Sequence, residues 1–275
     1  QKAIETALLQ GDCFQIKGLV GSGLNFKIVS AYRNLDRTFL MVLDNAEQAA
    51  YHLNDLEQLL SSKEVYYFPA SYREAYNPEA TDNANVLLRS EVLKKLSDSK
   101  KKKIIVTYPQ ALFEKVISQH TLKRKTLTVK KGDIIGLDFV NETLFEYGFD
   151  RVNFVTQPGN FSVRGGIIDV FSFAHQHPYR IEFFDEEIES LRSFDVNTQL
   201  SISPLDQIDL LPNTSEVSFS EKRESLIDSL PEGSTVVFNQ PDLCLDRIEK
   251  LGLKAAKQFD ALEISVQYPP EVLFL

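Results

Sequence analysis

The stretch Pro158–Gln199 constrains the fold of this chain more than any other. Apolar residues flank Gly165-Gly166 between Phe161 and Phe171. A Gly-Gly pair supplies the positive φ of a tight two-residue turn, so the segment predicts a β-hairpin. Tyr179, Ile181 and Phe183 alternate with Arg180, Glu182 and Phe184, which is the period of a half-buried strand. Ile188 to Phe194 predicts another. An antiparallel sheet of this kind buries one face and offers the other. The offered face is expected to carry Ser162, Arg164, Arg180 and Glu182. Polar groups beside an available aromatic suit a protein-docking surface. The competing reading is an ordinary solvated face, because a single surface charge contributes little.

The first 126 residues follow another pattern. After a short helix over Lys2–Gln10, Cys13–Gly18 predicts a strand. Thr38–Leu43 is an unbroken apolar run, as in a central parallel strand. Asp44 is expected to cap a helix reaching Leu60, and Val65–Phe68 predicts a strand. Asn85–Leu96 has helical spacing, and Ile104–Val106 predicts a strand. Pro109 suits the first turn of a helix through Ile117. Strand–helix alternation predicts a parallel α/β layer. Thr121–Lys131 is basic and β-prone, Phe139–Tyr147 predicts an amphipathic helix, and Gly148 should stop it. Beyond Pro212, helices are expected over Ser218–Leu230 and Leu243–Leu251, with a strand at Val236–Phe238.

Gly18, Gly21 and Gly23, followed by Leu24 and Asn25, approach the spacing of a phosphate-binding loop. The chemistry of such a loop needs a lysine on the β and γ phosphates and a Ser/Thr hydroxyl on magnesium. Leu24 and Asn25 occupy those places, so the loop reads as degenerate. The opposing reading is nucleotide binding by backbone amides alone.

Other chemistry is thin. Ile181–Glu186 (IEFFDE) mimics the apolar strand plus Asp-Glu of helicase ATPases, but Glu182 interrupts the run and no loop lysine accompanies it. His175 and His177 lack further ligands at metal spacing. His52 and His120 read as isolated surface residues. No Ser-His-Asp or Cys-His arrangement is visible. No catalytic or metal site is therefore expected. Asp185, Glu186, Glu187 and Glu189 form a carboxylate-rich edge that is either solvated or complements a basic partner. Cys13 and Cys244 are expected to be reduced packing residues of a cytosolic protein.

The 275 residues carry a net charge of −9, which argues against duplex DNA as the main partner. Lys100–Lys103 and Lys123–Lys125 remain candidates for local nucleic-acid contact, against a solvated turn. No apolar run approaches a membrane span, so no membrane partner is expected. The chain starts at Gln1 rather than Met and ends in apolar Pro269–Leu275, as expected of a piece of something longer.

Several elements together resemble one family. They are Gly148–Arg151, then Gly159–Phe171 (GNFSVRGGIIDVF), Tyr179–Ile188 (YRIEFFDEEI) and Phe194–Gln199 (FDVNTQ). This string resembles the UvrA-binding domain shared by UvrB and the bacterial transcription-repair coupling factors (Mfd). The tyrosine-rich Phe68–Glu79 (FPASYREAYNPE), with the strands and helices around it, resembles the first helicase-like subdomain of the same family. UvrB keeps an intact ATP loop, and a long DNA-clamping hairpin follows its tyrosine-rich run. Leu24, Asn25 and the short helical stretch seen here resemble the coupling factor instead.

The resemblance implies an α/β fold: a degenerate helicase-like parallel-sheet subdomain over 1–126, with 213–230 packing back on it. A β-rich UvrA-binding domain over 127–212 is inserted, and 231–275 begins a second small subdomain. It implies a non-catalytic adaptor that recruits UvrA at stalled transcription complexes, using Arg151, Arg164, Phe171, Arg180 and Glu182. The arginines would pair with carboxylates, Phe171 would be an apolar anchor, and Ser162 stands where the family has an arginine. It implies no cofactor here, with ATP and magnesium confined to the motor of an ATP-driven DNA translocase. RNA polymerase and DNA would be met by other parts of that parent, whose carboxy-terminal region would mask the adaptor at rest. The alternatives are a UvrB-type ATP-dependent unwinding domain and a DNA-binding module.

Overall fold

A computed structural model describes residues 2–60, 64–71, 76, 82–98, 101–173, 175–214, 222–261 and 269–275. The chain divides into two compact units. The first comprises Gln1–Ala70, Asp98–Lys115 and Ser225–Leu275, and the second Ser71–Ser97 and Val116–Glu224.

The first unit is built on β1 (Phe39–Val42), β2 (Val65–Tyr67), β3 (Ile104–Thr107) and β14 (Thr235–Phe238). All pair in parallel, in the order β14-β1-β3-β2. Phe39 lies opposite both Ile104 and Thr235, which makes β1 central. Phe39, Leu40 and Met41 have no exposed surface, which is why this strand is apolar without interruption. β14 comes from the stretch read as the start of a second subdomain. Its ladder with β1 makes it an edge strand of the first sheet.

Around this sheet run α1 (Lys2–Gln10), α2 (Gly23–Asn34), α3 (Ala46–Leu59), α5 (Pro109–Phe113), α8 (Pro241–Asp260) and α9 (Pro270–Leu273). The cap of α3 is Asn45, whose side-chain oxygen accepts the Gln48 N–H at 2.8 Å. Asp44, the expected cap, is drawn away. Its carboxylate accepts from the side chains of Asn239 (3.0 Å) and Gln240 (3.1 Å), and its carbonyl accepts from Arg247. Helix α5 starts at Pro109 as expected but ends at Phe113, where Glu114 bridges to Phe274. Residues 13–18 join no strand, and Cys13, Phe14 and Ile16 are exposed. Both cysteines are free, and only Cys244 is a packing residue.

The lysine run has structural work. The Lys102 ammonium donates to the carbonyls of Tyr32 (2.6 Å) and Leu35 (3.0 Å) at the end of α2, where a cation suits the helix dipole. Lys103 is buried and donates to the Lys101 carbonyl at 2.7 Å. Lys100 lies outside the described residues.

The second unit contains α4 (Asn83–Asp98), β4 (Val116–Ile117), α6 (Gln119–Lys125), β5 (Leu127–Lys130) and α7 (Leu137–Glu146). The strands that follow are β6 (Asp150–Arg151), β7 (Asn160–Arg164), β8 (Ile167–Val170), β9 (Tyr179–Phe184), β10 (Glu187–Phe194), β11 (Ser201–Pro204), β12 (Gln207–Leu210) and β13 (Arg223–Glu224). The basic segment expected to be β-prone opens instead as α6, whose cap Ser118 accepts the Thr121 N–H at 3.3 Å. Lys123, Arg124 and Lys125 fall in its last turn, where the helix dipole favours them. The helix expected at Ser218–Leu230 is absent from its described part: β13 pairs with β4, and turns follow. Residues 215–221 lie outside the described set.

Six strands form one sheet in the order β11-β10-β9-β8-β7-β6. β7 and β8 make the expected hairpin, with Gly165 at φ +57°. A Cβ on Gly166 would meet the Phe183 carbonyl oxygen at 3.0 Å, so the second glycine is needed for close strand approach. One face places Phe161, Ile168, Val170, Tyr179, Ile181 and Leu191 in the core. Helix α7 lies against it, with Val140 and Leu144 fully buried and the rings of Phe145 and Phe161 edge-on at 5.1 Å. Gly148 ends that helix at φ +75°.

Candidate functional site

The other face of this sheet carries the charge. Strand register sets Ser162 opposite Asp169, Asp169 opposite Arg180, and Arg180 opposite Arg192. A second row runs from Arg164 through Ile167 and Glu182 to Ser190. Because successive residues of a strand point to opposite faces, both rows share one surface. Of the four residues read from the sequence as exposed here, Arg164 is exposed and Arg180 and Glu182 are partly covered. Ser162 is buried, and its hydroxyl donates to the Asn153 carbonyl at 3.2 Å.

Asp169 organises the first row. Its side chain is 1% exposed, and it accepts from Arg164 Nη2 at 2.5 Å and from Arg180 Nε and Nη2 at 2.6 and 2.8 Å. The Arg180 contact is the two-toothed guanidinium–carboxylate geometry that fixes orientation as well as charge. The guanidinium of Arg180 also lies 4.7 Å from the ring centre of Phe194. Its pairing with Asp169 raises its pKa above the ordinary arginine value. Arg180 is thus held on two sides and only 17% exposed, whereas the Arg164 side chain is 46% exposed.

Glu182 is held in its own row. It accepts from Arg192 Nη1 at 2.8 Å and Nη2, and from the Ser190 hydroxyl at 2.5 Å. The Arg192 hydrogen bonds, with that of Ser190, lower its pKa below the ordinary glutamate value. Asp169 and Arg192 were not singled out in the sequence. Strand alternation places both on this face, but their pairing depends on a register that only cross-strand geometry supplies.

Phe171 does not serve as an exposed anchor. Alternation puts it on the same side as Asp169, yet it is only 6% exposed, packed with Val155 and Phe194 and flanked by Val152 and Val196. The segment after β6 covers it, and nothing local in the sequence signals that cover. Arg151 is exposed on the edge strand β6. The carboxylates Asp185 and Glu186, in the β9–β10 turn, and Glu187 and Glu189, in the first half of β10, are exposed. Phe154, in the covering segment, is 61% exposed, and the Arg164 guanidinium lies 5.5 Å from its ring centre.

The glycine loop of the first unit is arranged differently. Gly18 and Gly21 have φ values of +81° and +55°, and Gly23 opens α2. Asn25 has no exposed surface. Its side-chain oxygen accepts from His52 Nδ1 at 2.8 Å, and its amide donates to Asp55 at 3.2 Å. Asp55 also accepts from the Ser22 hydroxyl. His52, expected on the surface, is buried, and burial lowers its pKa from 6.5. Leu24 lines a cavity of about 1230 Å³ with Phe14, Ile16, Val236 and Phe238.

Among the described residues, no group of three or more His, Cys, Asp or Glu side chains could hold a metal ion. His175 and His177 are exposed, with ring centres 5.9 Å apart. No helix in this set is long and apolar enough to cross a membrane. The IEFFDE segment forms β9 and its turn, in an antiparallel rather than a nucleotide-binding sheet.

Residues 127–215 match the family described as the UvrB interaction domain. A transcription-repair-coupling factor of Bacillus subtilis is 26% identical over 259 residues, which cover 94% of this chain and 21% of that protein. The Haemophilus influenzae factor is 28% identical over 76% of the chain and 19% of its own length. One from Staphylococcus aureus is 31% identical over 71% of the chain and 16% of its own length. The chain thus spans about a fifth of the length of the curated relatives it matches.

Proposed function

We propose that this chain, a homologue of the UvrB-like amino-terminal region of transcription-repair-coupling factors, is a non-catalytic adaptor. It recruits the damage-recognition protein UvrA to stalled transcription complexes through the charged sheet face of its second unit. One observation carries this reading: the segment that matches the UvrB interaction domain presents an accessible arginine, Arg164, preset together with Arg180 by a buried carboxylate. Preset guanidinium groups lose little freedom on pairing with a partner's carboxylates. Arg151 and Arg164 supply accessible donors, while Arg180 and Glu182 are anchored from behind.

The rest of the assignment follows from the parent family. RNA polymerase and DNA are engaged elsewhere in a full-length ATP-driven translocase, in the cytoplasm, and its carboxy-terminal region covers this face at rest. Here the loop at Gly18–Asn25 is structural. Asn25, at the place of the magnesium-binding hydroxyl, is turned inward onto His52 and Asp55, which supports the absence of ATP chemistry in this region.

Calorimetric titration of the chain with UvrA tests the reading. Binding by the parent chain is expected. Arg164→Ala should weaken it by more than about 1 kcal/mol, and adding Arg151→Ala should abolish most of it with the fold intact. A well-folded parent chain that does not bind UvrA would refute the adaptor role.

A further inference from the structure

Phe154 has no part in the packing of the second unit that its size would suggest. It is 61% exposed, although its neighbour Val155 is buried with Phe171 and Phe194. Leaving a phenyl ring in water forgoes most of its burial free energy. The ring is nevertheless positioned. The Arg164 guanidinium lies 5.5 Å from its centre, and Arg164 is in turn drawn to Asp169 at 2.5 Å. Asp169 cannot relax away, because it is buried and held by Arg180 through two further hydrogen bonds. The arrangement is a chain of fixed groups, from buried carboxylate to half-exposed guanidinium to exposed ring.

Only one Arg164 donor contact reaches Asp169. A guanidinium has five N–H donors, so Arg164 keeps capacity for a partner carboxylate while it rests near the ring. Arg180 commits its Nε and one Nη to Asp169 and is largely covered. Of the two arginines on Asp169, Arg164 is the one able to gain contacts.

We infer that Phe154 and Arg164 form one contact element, with Phe154 the apolar anchor of the docking face and Asp169 the residue that positions the arginine. The partner surface it fits offers a carboxylate beside a flat or aliphatic side chain. A carboxylate alone would use the arginine, and an apolar pocket alone would use the ring. This inference rests on the UvrA-docking reading and adds to it the residue that supplies the apolar contact.

The test is a double-mutant cycle on the chain, read by UvrA affinity, with thermal midpoints as the fold control. Phe154→Ala is expected to weaken binding about tenfold or more without moving the midpoint, because the ring is exposed. Phe154→Tyr should keep most of the affinity, and Phe154→Leu should keep less. Phe154→Ala combined with Arg164→Ala should lose little beyond the worse single variant, because coupled residues are non-additive. Asp169→Asn should weaken binding in the parent chain and clearly less in the Arg164→Ala background, where only its hold on Arg180 remains to be lost, whereas general loosening of the sheet would cost the same in both. Binding by the parent with unchanged affinity in Phe154→Ala overturns the inference and leaves the adaptor reading standing. Full additivity of Phe154→Ala and Arg164→Ala overturns the single-element claim. No binding by the parent chain removes both.

Discussion

Two regions of this molecule use a carboxylate to hold other polar groups, and they use it to opposite ends. In the first unit, Asp55 accepts from Ser22 and Asn25, and His52 completes the set from the same helix. Asn25 is sealed from solvent. In the second unit, Asp169 accepts from Arg164 and Arg180 across neighbouring strands, but Arg164 keeps nearly half its side chain in water. The helix pair spends its hydrogen bonds on closing a loop. The strands spend theirs on fixing the direction of groups that still face outward. The two centres differ less in the presence of polar residues than in which donors stay accessible after the internal bonds are made.

The sharpest way to break the comparison is to remove each centre. Asp169→Ala strands two cations on one face, one of them mostly covered, and should cost about 3 kcal/mol of stability, measured by urea unfolding. Asn25→Ala leaves His52 and Asp55 without their buried partner and should cost about 2 kcal/mol, with UvrA affinity unchanged. If Asn25→Ala alters UvrA affinity as much as stability, the two centres are not separate in function.

Acid should distinguish the regions next. The pKa of His52 is lowered from 6.5 by burial, so the folded state favours its neutral form. Its contribution is complete above 6.5 and is lost as pH falls through the lowered folded value. The pKa of Glu182 is lowered from 4.5, chiefly by Arg192. Its contribution is complete above 4.5 and is lost only below that. Stability against pH should therefore decline first through the first unit, and His52→Gln should flatten that limb. Equal flattening by Glu182→Gln above pH 5 would contradict this order.

Smaller effects sharpen the picture. Leu24→Lys restores the lysine of a phosphate loop, yet ATP with magnesium should not raise its thermal midpoint, because Asn25 remains turned inward. Lys102→Met removes the ammonium that caps α2 and should cost about 1 kcal/mol, with no change in retention on duplex DNA. Any loss of DNA binding in Lys102→Met would revive a nucleic-acid role for that lysine.

How much of this was legible beforehand depended on the range of the interaction. Gly165-Gly166 and the alternation from Tyr179 to Phe183 are local signals, and the hairpin and strand followed. The apolar run Thr38–Leu43 likewise announced the central strand found at Phe39–Val42. Burial caused by distant segments was not legible. Ser162 and Phe171 are covered by the chain between β6 and β7, and His52 is hydrogen-bonded to Asn25 in the first turn of α2. Cys13–Gly18 has the composition of a strand but no ladder partner, and β14 takes the edge beside β1 instead. Nothing local in the sequence distinguishes Phe154, which is exposed, from the aromatics of the core.

The discontinuity of the first unit has a consequence for the order of events at the ribosome. Its central strand β1 needs β14, which enters only after the whole of the second unit has been synthesised. The six-stranded sheet, by contrast, lies within one uninterrupted run of chain. During synthesis, the segment through Glu224 can settle its sheet while β1 still shows a bare edge. The charged sheet face has all its strands available first, and the first sheet gains its last strand only with the stretch that carries β14 and α8.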